Sequence, residues 1–175
     1  MSTESIAQLR QLKLSGMAHA LQTQLEQVGT YEGLPFIERL GLLLEHERLS
    51  REQRKHERLI RQASFRLRAS LQEIDYEHPR NITASQIAQL AQCDWINRAQ
   101  NLLITGPCGS GKTYLACALG HNACLHGYSV RYYRLSRLLL SLTQAKADGS
   151  YHKQLKLLAK TQLLLIDDWG LEALK

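Results

Sequence analysis

Asn101-Leu-Leu-Ile-Thr-Gly106-Pro-Cys-Gly-Ser-Gly111-Lys112-Thr113-Tyr-Leu-Ala-Cys-Ala-Leu-Gly120 decides how the rest of this chain is read. Residues 106–113 fit the pattern G-x-x-x-x-G-K-[ST] without a mismatch. An apolar run, Leu102-Leu103-Ile104, leads into the loop, and a helix-forming run from Tyr114 leads out. The order expected is a strand over 101–105, a glycine-rich loop, and a helix over 112–126. Gly106, Gly109 and Gly111 allow the backbone to turn tightly and to approach an oxyanion closely. The N–H groups around Gly109–Thr113, Ser110 among them, then form a concave anion site at a helix N-terminus. In such a loop Lys112 reaches the β- and γ-phosphates and Thr113 offers its hydroxyl to magnesium. A nucleoside triphosphate with Mg2+ is therefore the expected ligand, and Lys112 counts among the catalytic candidates as well as the binding ones.

Leu163-Leu-Leu-Ile-Asp167-Asp168 supplies the second half of such a site. An apolar strand ending in an acid suits the carboxylate that holds magnesium, which assigns Asp167 to the metal. Asp168, next along, is placed to orient or deprotonate an attacking water. Two acids also simply end a buried strand in many proteins, and the signal draws its weight from its position downstream of the loop. Paired acids favour hydrolysis by water over phosphoryl transfer to a small molecule.

Between and before these motifs the pattern changes character. Ser129-Val-Arg-Tyr-Tyr133 reads as a strand, helices are expected over about 136–146 and 151–160 with Asp148-Gly149 between them, and 163–166 reads as a third strand. This β-α-β-α-β alternation implies an α/β fold with a parallel sheet. Upstream the chain reads as helical. Leu14, Met17, Leu21, Leu25 and Val28 share one face of a helix over 5–28, and Pro35 opens a second over 35–62. A further helical piece is expected over Phe65–Ile74. His78-Pro79-Arg80-Asn81 marks a boundary, dividing a helical region, 1–80, from a phosphate-loop region, 81–175. Thr83 or Ser85 caps a short helix running to Leu90.

The net charge is +6, and its source is local. Residues 48–68 hold Arg48, Arg51, Arg54, Lys55, Arg58, Arg61, Arg66 and Arg68 against Glu52 and Glu57. Ser50–Arg58 contains no apolar residue, so this stretch either stands in solvent or lies on an anionic partner. Arg48, Arg51, Arg54, Lys55, Arg58 and Arg61 are the candidate DNA contacts, to duplex backbone phosphates rather than to stacked bases, since Phe65 is the one aromatic in the segment. As a merely solvated helix, it would be steadied by the i,i+4 pairs Glu47–Arg51, Glu52–His56 and Glu57–Arg61. Arg131, Arg134 and Arg137 are secondary candidates for DNA. Cys117, His121 and Cys124 share a helix face, but packing explains them better than a metal does. Trp95 either lies near a nucleotide base or closes the domain boundary. No apolar run reaches membrane-spanning length and the N-terminus carries no secretory pattern, which points to the cytoplasm and to four reduced cysteines.

Taken together, Asn101–Gly120, Gly127-Tyr-Ser-Val-Arg-Tyr-Tyr133, Asp148-Gly-Ser-Tyr151 and Leu165-Ile-Asp-Asp-Trp-Gly-Leu171 closely resemble the IstB-like ATP-binding proteins. The resemblance extends to Leu34-Pro35-Phe36 and Ser70–Tyr76, and so to the full chain. It implies a P-loop NTPase of the AAA+ type, with ATP as the nucleotide, DNA as the target, a transposase as partner, and assembly into a homo-oligomer. Members continue beyond the Asp-Asp strand, so the resemblance also implies a sheet incomplete at its C-terminal end, without the sensor strand and arginine finger. Two alternatives stay open at this point: a DnaC-type helicase loader, and a nucleotide- and DNA-binding remnant without hydrolysis.

Overall fold

The structure is a computed structural model that describes residues 2–76 and 82–170. The chain divides into two compact units, Met1–Glu57 and Arg58–Lys175. The boundary expected at His78–Asn81 lies outside the described residues.

The first unit is helical: α1 (Ser2–Gln11), α2 (Ser15–Glu26), the short α3 (Val28–Tyr31) and the opening turns of α4 (Phe36–Ala63). The single helix expected over 5–28 is interrupted at Leu12–Leu14. Lys13 adopts a left-handed conformation (φ 61°), Leu14 N–H donates to Leu9 C=O, and Lys13 N–H donates to Arg10 C=O. This pair of bonds is the Schellman termination of a helix, here with lysine where glycine is usual. The interruption lets α2 start afresh against α4. Its N-cap residue, Leu14, offers no side-chain cap; instead the Glu47 carboxylate of α4 accepts from Gly16 N–H (2.7 Å) and Met17 N–H (3.1 Å). A Cβ at Gly16 would stand 2.7 Å from the Cα of Glu47, so this approach requires glycine. A second tie comes from buried Gln24, which donates to the Arg39 carbonyl and accepts from the Arg39 guanidinium.

In the second unit the last turns of α4 bury Leu59 and Ala63 in a core with Cys93, Ala123, Cys124, Val130 and Leu163. The chain leaves α4 through Ser64 at φ 54°. The helix expected over Phe65–Ile74 is replaced by a single 3-10 turn, Leu71–Glu73. The reason is packing. Phe65 lies on Gly120 of α7 (Lys112–Leu125), where a Cβ would come within 2.7 Å of the ring, and Ala69 packs on Cys117 and Ala118 of the same helix. The short helix α5 (Ala84–Ala91) is capped as expected at Thr83, through a reciprocal capping box with Gln86. A single turn, α6 (Asp94–Asn97), follows.

The sheet of the described residues has two parallel strands, β1 (Val130–Arg134) and β2 (Leu163–Asp167), joined through α8 (Leu135–Asp148) and α9 (Tyr151–Ala159). Their register pairs Val130 with Leu163 and Arg134 with Asp167. Gly149, left-handed at φ 80°, separates α8 from α9. The fold is thus α/β with a parallel sheet. The first of the three expected strands, over 101–105, does not form: these residues join no ladder among the described residues, Leu103 is 79% exposed, and only Ile104 turns inward against Leu115 and Leu119. A strand exists only by hydrogen bonding to a neighbour, and β1 and β2 bond to each other.

Candidate nucleotide site

The local rules that build the loop are visible in its dihedrals. Gly109 and Gly111 sit at φ 79° and 86°, a region that strains residues with a Cβ. Gly111 is the N-cap of α7 and supplies no side chain to the first turn. The N–H groups of that turn therefore lack an internal acceptor, which is the usual setting for oxyanion binding. Lys112 lies folded over the loop, its Nζ donating to the carbonyls of Gly106 (2.8 Å) and Pro107 (2.6 Å). An ammonium held only by carbonyl oxygens is well placed to exchange them for phosphate oxygens.

From the first turn of α7, Thr113 Oγ1 donates to Asp167 Oδ2 at 2.9 Å, across 54 residues of sequence. The Tyr132 hydroxyl donates to the same oxygen at 2.6 Å, and Asp168 N–H donates to Asp167 Oδ1 at 2.9 Å. Arg66 approaches Asp167 at 3.7 Å. Burial pushes the Asp167 carboxyl up, but the two hydroxyls, the backbone N–H and Arg66 outweigh it and hold the group below its ordinary value. The reciprocal effect falls on Tyr132, whose phenol is pushed up to about 12 by burial and by the adjacent carboxylate. Asp167 is therefore an anion at neutral pH. A hydroxyl and a carboxylate brought together are hard oxygen donors, the set that magnesium takes. Asp168 points elsewhere. It sits left-handed at φ 59°, and its carboxylate faces Arg134 Nε at 3.7 Å.

The structure thus gathers Thr113, Asp167 and the loop around the start of α7, with Asp168 beside them. The six basic candidates of α4 do not act as one group. Arg48 is held by Glu45 (2.6 Å) and Glu52 (2.8 Å), while Arg51 (2.7 Å) and Arg54 (3.5 Å) are held by Glu47. Lys55, Arg58 and Arg61 are exposed and have no carboxylate partner among the described residues. Of the three expected i,i+4 pairs, Glu47–Arg51 forms. Glu52 turns to Arg48, and Glu57 accepts from Gln53.

Sequence reasoning missed Tyr132, Arg66 and Arg134 as neighbours of the acids. Nothing local marks Tyr132 or Arg66. Arg134 had a signal in its place at the end of β1, since two parallel strands of equal length end side by side. Trp95 donates its indole N–H to the Leu90 carbonyl and packs on the core. Cys117 and Cys124 are buried, and burial pushes both thiols up, Cys124 to about 11. No cluster of three metal-ligating side chains occurs among the described residues. No helix among them is long and apolar enough to cross a membrane.

A glycine-rich loop at a helix N-terminus, its lysine folded over the loop and its threonine on a strand-end aspartate, defines the class of P-loop nucleotide-binding proteins. The model of the IstB-like ATP binding protein family matches residues 7–175. The chain is 47% identical to a protein of Pseudomonas fluorescens named for ATP binding in insertion sequence IS1162, with all of this chain and 76% of that relative covered. It is 42% identical to a similarly named insertion-sequence protein, y4pL, of Sinorhizobium fredii, over 97% of this chain and 69% of the relative. A relative from insertion sequence IS21 of Pseudomonas aeruginosa is 32% identical over 93% of this chain and 61% of its own length. This chain belongs to the IstB-like ATP binding protein family.

Proposed function

We propose that this protein binds ATP with Mg2+ at the 106–113 loop and serves as a helper ATPase in the transposition of an insertion sequence. The contact between Thr113 and Asp167 carries the reading, because it joins the two halves of a magnesium-nucleotide site that lie far apart in sequence. Lys112 exchanges the Gly106 and Pro107 carbonyls for phosphate oxygens, with the α7 N–H groups and those of Gly109, Ser110 and Gly111 completing the cradle. Thr113 and Asp167 hold the metal, which neutralises charge on the phosphate oxygens when bound. Asp168 accepts a proton from, or orients, the attacking water once it parts from Arg134.

DNA and a transposase are the proposed partners, with a homo-oligomer as the working form. Residues 1–80 are assigned to DNA or partner contact and 81–175 to the nucleotide. Within the basic segment, the proposed phosphate contacts centre on Lys55, Arg58 and Arg61, since Arg48, Arg51 and Arg54 are engaged by glutamates.

The deciding experiment is ATP turnover by the full chain with DNA present, beside Lys112→Ala. Turnover that Lys112→Ala removes supports the helper ATPase. A folded protein that binds ATP without turnover leaves a nucleotide-dependent binding module and defeats the hydrolytic part of the reading. For the DNA contact, Lys55→Glu, Arg58→Glu and Arg61→Glu combined should lower the slope of log affinity against log salt by about three, near one per lost phosphate contact. An unchanged slope would mark that stretch of α4 as a solvated face.

A further inference from the structure

Beside the acids, but lined by none of the loop residues, an open pocket of about 370 Å³ is formed by Arg66, Tyr132, Tyr133, Arg134 and Arg137. Three of its five lining residues are arginines, and their charges are incompletely answered. Arg66 and Arg134 meet Asp167 and Asp168 only at 3.7 Å each, well beyond the roughly 2.7–2.9 Å of a strong charge-assisted hydrogen bond. Arg137 is exposed and has no carboxylate partner among the described residues. The pocket also lies at the start of α8, a helix of 14 residues whose N-cap, Arg134, contributes no side-chain cap. The first-turn N–H groups of α8 therefore add to the positive field of the arginines.

We infer that this pocket is a second phosphate site, separate from the 106–113 loop, and that it takes a phosphodiester of a nucleic-acid strand. Guanidinium groups match phosphate oxygens in pairs, and three of them with a helix N-terminus make a site for an oxyanion rather than for a cationic or neutral ligand. The volume exceeds what a lone phosphate fills, and the Tyr132 and Tyr133 side chains in the wall provide ring surface for the sugar or base attached to it. Arg137, without a carboxylate partner among the described residues, supplies a further cation. Once occupied, the pocket sets a phosphate in competition with Asp167 and Asp168 for Arg66 and Arg134. Strand binding is thereby coupled to the proposed nucleotide site; this coupling rests on the reading of that site, whereas strand binding itself does not.

The test is fluorescence anisotropy of a short fluorescein-labelled single-stranded oligonucleotide against the full chain with magnesium, without and with saturating ATP, over a range of salt. Arg137→Ala should weaken binding several-fold and lower the salt slope by about one, and Arg137→Lys should restore the slope. Arg137 is exposed, and thermal unfolding should be the same for all three proteins. Binding and slope unchanged in Arg137→Ala, or no binding by the parent, overturns the proposal. Displacement of the oligonucleotide by ATP overturns it too, because the pocket then belongs to the nucleotide site. Inorganic phosphate that raises the melting temperature through Arg137, with oligonucleotide binding unaffected by Arg137→Ala, assigns the pocket to free phosphate and defeats the nucleic-acid ligand.

Discussion

Glu47 in the first unit and Asp167 in the second are two carboxylates in outwardly similar surroundings. Each accepts several hydrogen bonds, each has an arginine near, and each is held below its ordinary value although burial pushes it up. Their donors differ in kind. Glu47 is met by the backbone N–H groups of Gly16 and Met17 and by Arg51, with its side chain 8% exposed. Backbone donors at a helix start cannot turn away, so this carboxylate acts as a fixed cap for α2. Asp167 takes one backbone N–H, from Asp168, at Oδ1, but its Oδ2 is met by the hydroxyls of Thr113 and Tyr132, with its side chain 20% exposed. A hydroxyl rotates, and it can present a lone pair to a cation as readily as a proton to a carboxylate. The comparison teaches that the identity of the donors, more than their number, separates a structural acid from one available for chemistry.

Substitution of each acid tests that distinction most severely. Asp167→Asn should reduce magnesium-dependent ATP affinity by about 10- to 100-fold, as expected for losing a charged partner worth about 1.5–3 kcal/mol, while the melting temperature holds. A collapse in stability instead would make Asp167 a structural pin like Glu47. Glu47→Ala should do the converse. It strands two N–H groups and Arg51, and should lower unfolding free energy by about 2–3 kcal/mol in denaturant titrations, with ATP affinity unchanged. If stability is unmoved, the cap on α2 is ornamental and the comparison fails on that side.

Gly16→Ala approaches the same contact sterically. The added Cβ meets backbone at 2.7 Å, and the resulting shift should destabilise by about 1–3 kcal/mol. Full stability would show that α2 and α4 can separate without loss. Acid tests the Glu47 cap through linkage. The ordinary value for Glu47 is 4.5 and its folded value is lower, so its contribution is complete above that pH and is lost as pH falls through the depressed value. Unfolding followed below pH 4.5 should therefore be less steep with pH in Glu47→Gln than in the parent; parallel curves would refute the linkage. The smallest effect is expected from Tyr132→Phe. It removes one of the hydroxyl donors and should raise the Asp167 value slightly, with a loss of about 1 kcal/mol or less in stability, read by thermal unfolding. A large loss would show that the phenol, rather than the threonine, organises the acid.

Much of the candidate nucleotide site was legible because its parts are local. A glycine-rich octet followed by a helix dictates an anion cradle wherever it folds, since the conformation and the free N–H groups belong to the loop itself. The helix start at Lys112, the cap at Thr83, the stop at Gly149 and the strand ending in Asp167 were likewise readable, each resting on a few neighbouring residues. The misreadings share a different cause. Periodicity placed one helix over 5–28, yet Glu47, distant in sequence, rewards a fresh helix start at Ser15. Apolar composition made 101–105 a strand, although a strand depends on a partner that no local pattern can provide.

The basic segment shows the limit most clearly. Its composition established an excess of positive charge, and no structure alters that total. Which charges remain available was decided partly along α4 itself, where glutamates three to seven residues away hold Arg48, Arg51 and Arg54, and partly by tertiary contacts, where Asp167 faces Arg66 and Asp168 faces Arg134. By itself the sequence determined the phosphate loop, the acid pair and the order of elements, because backbone preference and hydrophobic period act over a few residues. Only the tertiary structure decided that Tyr132 and Arg66 attend Asp167, that Glu47 caps α2 and that Arg137 has no carboxylate partner among the described residues. Hydrogen bonds and ion pairs act over a few ångströms of space, and distance along the chain carries no record of them.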